Sequence, residues 1–164
     1  MGDQQTELAE RIAEIVQKQE RSVATAESLT SGNVAARLGA APGAASWFRG
    51  GLVSYHDEVK HGVLDVDDGP VVCDPAARQM ALGVARLLGA DAAVATTGAG
   101  GPDPQDGQPP GTVFVAVLLD GELSCQELHL EGDPAEVVAR STEAALQMLH
   151  DVLDADGDRP DREA

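Results

Sequence analysis

Lysine is nearly missing from this sequence: only Lys18 and Lys60 occur, and arginine supplies nine of the eleven basic residues. Bases of either kind are outnumbered by 28 acids, for a formal net charge of −17. That balance excludes nucleic-acid binding through a broad basic surface, and docking on an anionic membrane. Aromatic residues make up 2% of the chain, one Trp, one Tyr and two Phe. The two cysteines, Cys73 and Cys125, have no CxxC spacing. They argue against a disulfide scaffold and read as small buried or half-buried side chains in a reducing compartment. No apolar run reaches the roughly 18 residues that span a bilayer. The opening MGDQQTELAE has neither the basic nor the apolar segment of a secretory leader, so the expected location is cytoplasmic. His56, His61, His129 and His150 show neither HxxxH nor HExxH spacing, so no metal site is expected. The acids read instead as a hydrated surface suited to a salt-rich cytoplasm.

What is present is an ordinary globular core: 164 residues, 43% of them hydrophobic, point to one domain. Leu8, Ile12, Ile15 and Val16 recur at helical spacing and predict an amphipathic helix over roughly 4–20. A short strand is expected at 22–26, a helix at 30–38, a strand at 50–55 and a brief helix at 58–63. Asp74-Pro75 reads as a cap followed by a first-turn proline, opening a helix that ends before Gly89. A buried strand is expected at 92–96, and a glycine- and proline-rich loop at 98–110. Strands at 112–119 and 123–130 flank the hairpin signal Asp120-Gly121. Asp133-Pro134 then starts a last helix expected to run to about Leu153. Helix and strand patterns alternate before the closing hairpin and helix, which predicts a layered α/β fold with a mixed, mostly buried sheet. Residues 1–153 form the expected domain, and 154–164 an acidic, disordered tail.

Three segments could carry chemistry. In AESLTSG (26–32), Ser28 ends a strand just before a helix, beside backbone N–H groups able to hold an oxyanion. Equally, Ser28 or Thr30 could simply cap that helix. In GGLVSYHDEVK (50–60), Tyr55 follows Trp47 and Phe48 closely, which suggests either a ring-stacking pocket or a local hydrophobic anchor. Lys60 is retained in a chain that replaces lysine almost everywhere. Burial can lower a lysine's pKa toward neutrality and free it to act as a base, which arginine cannot do. A solvated surface lysine is the plainer alternative. The third segment, TTGAGGPDPQDGQPPGT (96–112), follows a strand and lets backbone amides approach an anion. It is neither a dinucleotide fingerprint nor a phosphate loop, because Asp103 stands where GxGxxG needs its last glycine.

Together these segments resemble the C-terminal domain of the CinA (competence/damage-inducible) family, which includes stand-alone nicotinamide mononucleotide deamidases. AESLTSG matches the family's AES(C/L)TGG, and WFRGGLVSYHDEVK its WF-x-RG-x-V-x-YSNEAK. GPVVCDPAARQMA matches HGAVS with its following helix, TGAGGPDPQDGQPPGTV matches SGIAGPDGG…KPVGTV, and GDPAEVVARSTEAAL matches GDR…R…AL. The resemblance runs from about residue 5 to 150. It implies a single-domain, three-layer α/β/α sandwich that hydrolyses the carboxamide of nicotinamide mononucleotide, giving nicotinic acid mononucleotide and ammonia. It implies no metal or organic cofactor, a role in pyridine nucleotide salvage and NAD metabolism, and a pyridine nucleotide as the small-molecule partner.

Carried residue by residue, the resemblance makes Ser28 the nucleophile, with Tyr55 and Lys60 as the groups that activate it. Glu27, Thr30, Phe48, Thr97, Gly98, Gly100, Gly101 and Arg140 become the expected substrate-binding residues. A pocket rimmed by loops is often completed by a neighbouring subunit, so a homo-oligomer is expected. The chain departs from the family pattern at Ser31, Asp57, Cys73 and Pro134, where the family has glycine, asparagine, serine and arginine. Asp57 places a negative charge near Lys60, which raises a lysine pKa and opposes its use as a base. Two other readings therefore stand beside the deamidase: a non-catalytic nucleotide-binding module, and an amidase acting on another carboxamide.

Overall fold

Period-two alternation along the strand segments sends valines to one side of a sheet and alanines to the other, and this sorting organises the whole chain. The structure, a computed structural model, describes residues 2–160. In chain order the elements are α1 (Gly2–Gln19), β1 (Val23–Glu27), α2 (Asn33–Gly39), α3 (Ala44–Trp47), β2 (Phe48–Val53), α4 (Asp57–Leu64), α5 (Asp74–Leu88), β3 (Ala92–Gly98), β4 (Thr112–Leu119), β5 (Glu122–His129) and α6 (Pro134–Gly157). The five strands form one sheet in the order β2-β1-β3-β4-β5. β1 pairs in parallel with both β2 and β3, while β4 and β5 are antiparallel.

Val23, Val94, Val113, Val115 and Val117 meet α1, α2 and α6 on one face. Ala24, Ala26, Ala93, Ala95 and Ala116 meet α4 and α5 on the other, where their small side chains let α5 lie close to the sheet. The result is the expected three-layer α/β/α sandwich around a mixed sheet. At one point two strands nearly touch: a Cβ on Gly51 would lie 2.1 Å from Thr25 Oγ1, so β2 can pair closely with β1 only with glycine there. No helix among the described residues is long and apolar enough to cross a membrane.

Several boundaries differ from the sequence reading, each for a local reason. α2 begins at Asn33, not residue 30, because Ser31 (φ 50°) and Gly32 (φ 95°) turn left-handed and interrupt the helix. β2 covers 48–53, and its pairing with β1 ends at Val53, opposite Glu27. Cys73 takes the N-cap position of α5, so Asp74 lies inside the first turn and bonds Arg78. The last helix runs to Gly157, past Leu153 and into the segment expected to be disordered. Leu153 and Asp156 are buried there, and Asp156 Oδ2 meets the buried Arg21 guanidinium at 2.8 Å. The final four residues of the expected tail lie outside the described residues. At its other end α6 carries a full capping box, with Asp133 accepting from Glu136 N–H and Glu136 from Asp133 N–H, worth about 1 kcal/mol.

Candidate active site

After β1 the chain passes through α2 to the edge strand β2, then returns through α4 and α5 to β3 on the other side of β1. α2 lies on the valine face and α4 and α5 on the alanine face. The two connections thus leave the C-terminal ends of the neighbouring strands β1 and β2 for opposite faces, and that end of the sheet is where open α/β sheets hold their ligands. Ser28 sits at that point. It is 8% exposed, and its N–H donates to Thr96 O at 3.1 Å, tying the turn after β1 to the end of β3. Ser54 N–H donates to Glu27 O at 2.7 Å, which brings the chain leaving β2, and Tyr55 with it, to the same end.

A cavity of about 360 Å³ opens there, lined by Ser28, Leu29, Tyr55, Gly98, Gly100, Gly101, Asp103, Pro104, Gln105, Pro134 and Val138. It brings together residues from all three sequence segments that could carry chemistry. Tyr55 stands at the rim, 68% exposed. The backbone N–H groups of Leu29 and Thr30, directly after Ser28, have no acceptor among the described residues. They are free to meet a negative oxygen.

Lys60, on α4, is 1% exposed, so the solvated alternative is excluded. Its Nζ donates to Tyr55 O at 2.9 Å and lies 3.6 Å from Asp57 Oδ1. Burial pushes the ammonium below the ordinary lysine range, while Asp57 and, less strongly, Asp106 push it back up. The contact to Tyr55 uses the backbone carbonyl, so Lys60 fixes the segment that presents the phenol.

Other expected binding residues are committed elsewhere. Glu27 is 1% exposed, and its carboxylate accepts from Val34 N–H at 2.9 Å and Ala35 N–H at 3.0 Å. It therefore satisfies the start of α2, a task that neither Ser28 nor Thr30 performs as a cap. Thr30 Oγ1 donates to Glu27 at 2.6 Å and lies 2.8 Å from Thr96 Oγ1. Thr97 Oγ1 donates to Val71 O at 2.8 Å. These three side chains do not line the cavity; they brace its floor. Phe48 opens β2 opposite Val23, at the far end of the strands, and tilts against Trp47 with ring centroids 6.0 Å apart. Those two rings are a hydrophobic anchor, and only Tyr55 among the clustered aromatics reaches the cavity. Arg140 is exposed, two residues beyond Val138, and does not line it either.

Sequence reasoning missed Asp106. Its Oδ2 accepts from Val71 N–H at 2.8 Å and Val72 N–H at 3.0 Å, clasping the glycine loop to the chain just before α5. An acid inside a run of Gly, Pro and Gln that also holds Asp103 gives no periodic signal of such a partner. Pro134 and Val138 were missed because α6 reads simply as an amphipathic packing helix.

The CinA C-terminal domain model matches residues 5–153. A CinA-like protein of Mycobacterium marinum is 41% identical over 141 residues, covering 82% of this chain and 33% of its own length. One from Dictyoglomus thermophilum is 34% identical over 154 residues, covering 90% and 38%. The chain thus spans about a third of the length of these curated relatives. Among solved structures, a competence-damaged protein (CinA) superfamily protein from Klebsiella pneumoniae superposes with a TM-score of 0.87 at 34% identity, covering 92% of this chain and 98% of the other. A competence/damage inducible protein from Agrobacterium tumefaciens gives 0.85 at 30% identity, covering 92% and 96%. Motifs, topology and comparisons agree, and the chain belongs to the CinA C-terminal domain family.

Proposed function

We propose that this chain is a serine-dependent amidohydrolase that converts nicotinamide mononucleotide to nicotinic acid mononucleotide and ammonia. The observation that carries the reading is the cavity lined by Ser28, Tyr55 and a glycine loop; Lys60 is not in its lining, but is buried behind it on the Tyr55 backbone carbonyl with its pKa lowered. In this reaction Ser28 Oγ attacks the carboxamide carbon as its proton passes to neutral Lys60, directly or through the Tyr55 hydroxyl. Backbone N–H groups of Leu29 and Thr30 hold the oxyanion. The carbon–nitrogen bond then breaks, and the stored proton leaves with the nitrogen as ammonia. Water attacks the resulting ester and returns the hydroxyl to Ser28 with release of the acid. In this reading the N–H groups of Gly100 and Gly101, two residues of the cavity lining, receive the phosphate or ribose.

Lys60 needs its lowered pKa for this work, because a general base acts best when its pKa lies near the working pH. One contact favours a second reading. Asp57, 3.6 Å away, holds Lys60 toward its charged form, which suits a nucleotide-binding module without turnover. A single assay separates the two: ammonia release from nicotinamide mononucleotide and a small panel of other carboxamides, in high salt, for the wild type and Ser28→Ala. The deamidase requires release by the wild type and its loss in Ser28→Ala. Tight binding with no release from any carboxamide supports the module. Release from another carboxamide alone keeps the chemistry and changes the substrate.

A further inference from the structure

A second cavity, of about 490 Å³, lies among α1, α2 and α6, on the far side of Val138 from the candidate active site. The proposed reaction makes no use of it. Six of its thirteen lining residues are alanine, and one cation stands in it: Arg37, half-buried on α2. Arg37 Nε donates to Gln5 Oε1 at 3.0 Å. Gln5 is 5% exposed on α1, and its Nε2 donates in turn to Ala139 O on α6 at 3.2 Å. This relay across three helices fixes the guanidinium plane through one N–H and leaves its other donors without an acceptor among the described residues.

Among the described arginines, Arg21, Arg78 and Arg159 meet carboxylates, and Arg49 Nε donates to Leu88 O. Arg37 forms no ion pair among the described residues, although Glu10 lines the same cavity. A guanidinium fork suits two oxygens of a carboxylate or phosphate, and partial shielding from water strengthens that bond. The volume falls within the range of small-molecule sites, which are mainly apolar with a few placed polar groups.

We infer that this cavity binds a small organic anion, its carboxylate or phosphate head on the Arg37 fork and its apolar body against the alanines. The test is calorimetric titration of the full chain with phenyl phosphate, benzoate and inorganic phosphate at constant ionic strength. Fluorescence of Trp47 gives a second readout. It is the chain's one tryptophan, and its Nε1 donates to Pro42 O beside Ala41 in the cavity wall. At least one ring-bearing probe should bind ten-fold or more tightly than inorganic phosphate, and the preferred head identifies the ligand class. Arg37→Gln and Ala36→Leu, the second filling the cavity from an exposed helix position, should each weaken that binding at least ten-fold. Arg11→Gln, an exposed control, should change nothing. Circular dichroism melts confirm that each variant is folded. The inference is overturned if no ring-bearing probe binds the wild type more tightly than phosphate, or if either cavity variant binds as the wild type does. A change in sedimentation with unaltered titration would instead mark the face as a subunit contact.

Discussion

The two ends of β1 hold buried charge in opposite ways. Before the strand, Arg21 is 6% exposed and its guanidinium meets two carboxylates, Asp120 on the hairpin turn and Asp156 on α6. Beyond its other end, Lys60 is 1% exposed and has a backbone carbonyl as its near partner, with a half-exposed carboxylate farther off at 3.6 Å. Arg21 staples three elements together. Lys60 is left where its neutral form becomes accessible. A fully paired cation stabilises the fold, whereas an under-paired one is available for proton transfer.

The comparison breaks most sharply at Lys60. Lys60→Met should lower carboxamide turnover about 10²–10⁴-fold, the usual contribution of a positioned base, as read by ammonia release. The same variant should change the pH dependence of stability. With its folded pKa lowered, Lys60 is neutral in the folded chain and protonated in the unfolded one between that pKa and the ordinary value of about 10.4. The unfolded chain therefore binds more protons in this window, and stability rises with pH across it. Lys60→Met should abolish that rise, as urea melts at several pH values will show.

At the opposite end, Arg21→Ala removes the buried partner of the nearly buried Asp156 carboxylate, whose other cation, Arg159, is exposed and 3.7 Å away. The substitution should destabilise the fold by about 3 kcal/mol in chemical denaturation, with the proposed turnover per folded molecule unchanged. A loss of kcat as large as that of Lys60→Met would dissolve the distinction between the two ends. A smaller effect sharpens it. Asp57→Asn removes the carboxylate that raises the Lys60 pKa, so the acidic limb of kcat/KM should move to lower pH with little change at its plateau. The smallest effect concerns Cys125, which burial and then Asp74 push up to about 12. It should remain a thiol and resist alkylation at neutral pH while the fold is intact.

These two ends were also unequally legible in the sequence. The β4–β5 hairpin at Asp120-Gly121 and the helix opening at Asp133-Pro134 follow from turn and cap chemistry, which is local, and both were readable. Ser28 could be singled out by its place between a strand and a helix, Tyr55 by the scarcity of its residue type and the glycine loop by its dense composition. The Arg21 cluster could not, since it joins residues far apart in the chain and one acid among 28 looks like any other. The same limit hid the Asp106 clasp and led to Glu27, Thr30 and Thr97 being assigned to substrate. Each carries a polar group at the right end of a strand, and only the packed structure reveals that its bonds are already taken. Phe48 shows a related limit: lying within seven residues of Tyr55 does not put two rings at the same end of a strand.

The most direct test of the central claim is whether Ser28 becomes acylated. Wild-type protein mixed with nicotinamide mononucleotide and quenched in acid within one turnover should show, by intact-mass and peptide analysis, a nicotinic acid mononucleotide acyl group esterified to the peptide that carries Ser28. Turnover that persists in Ser28→Ala, with no adduct on that peptide in the wild type, would contradict the account.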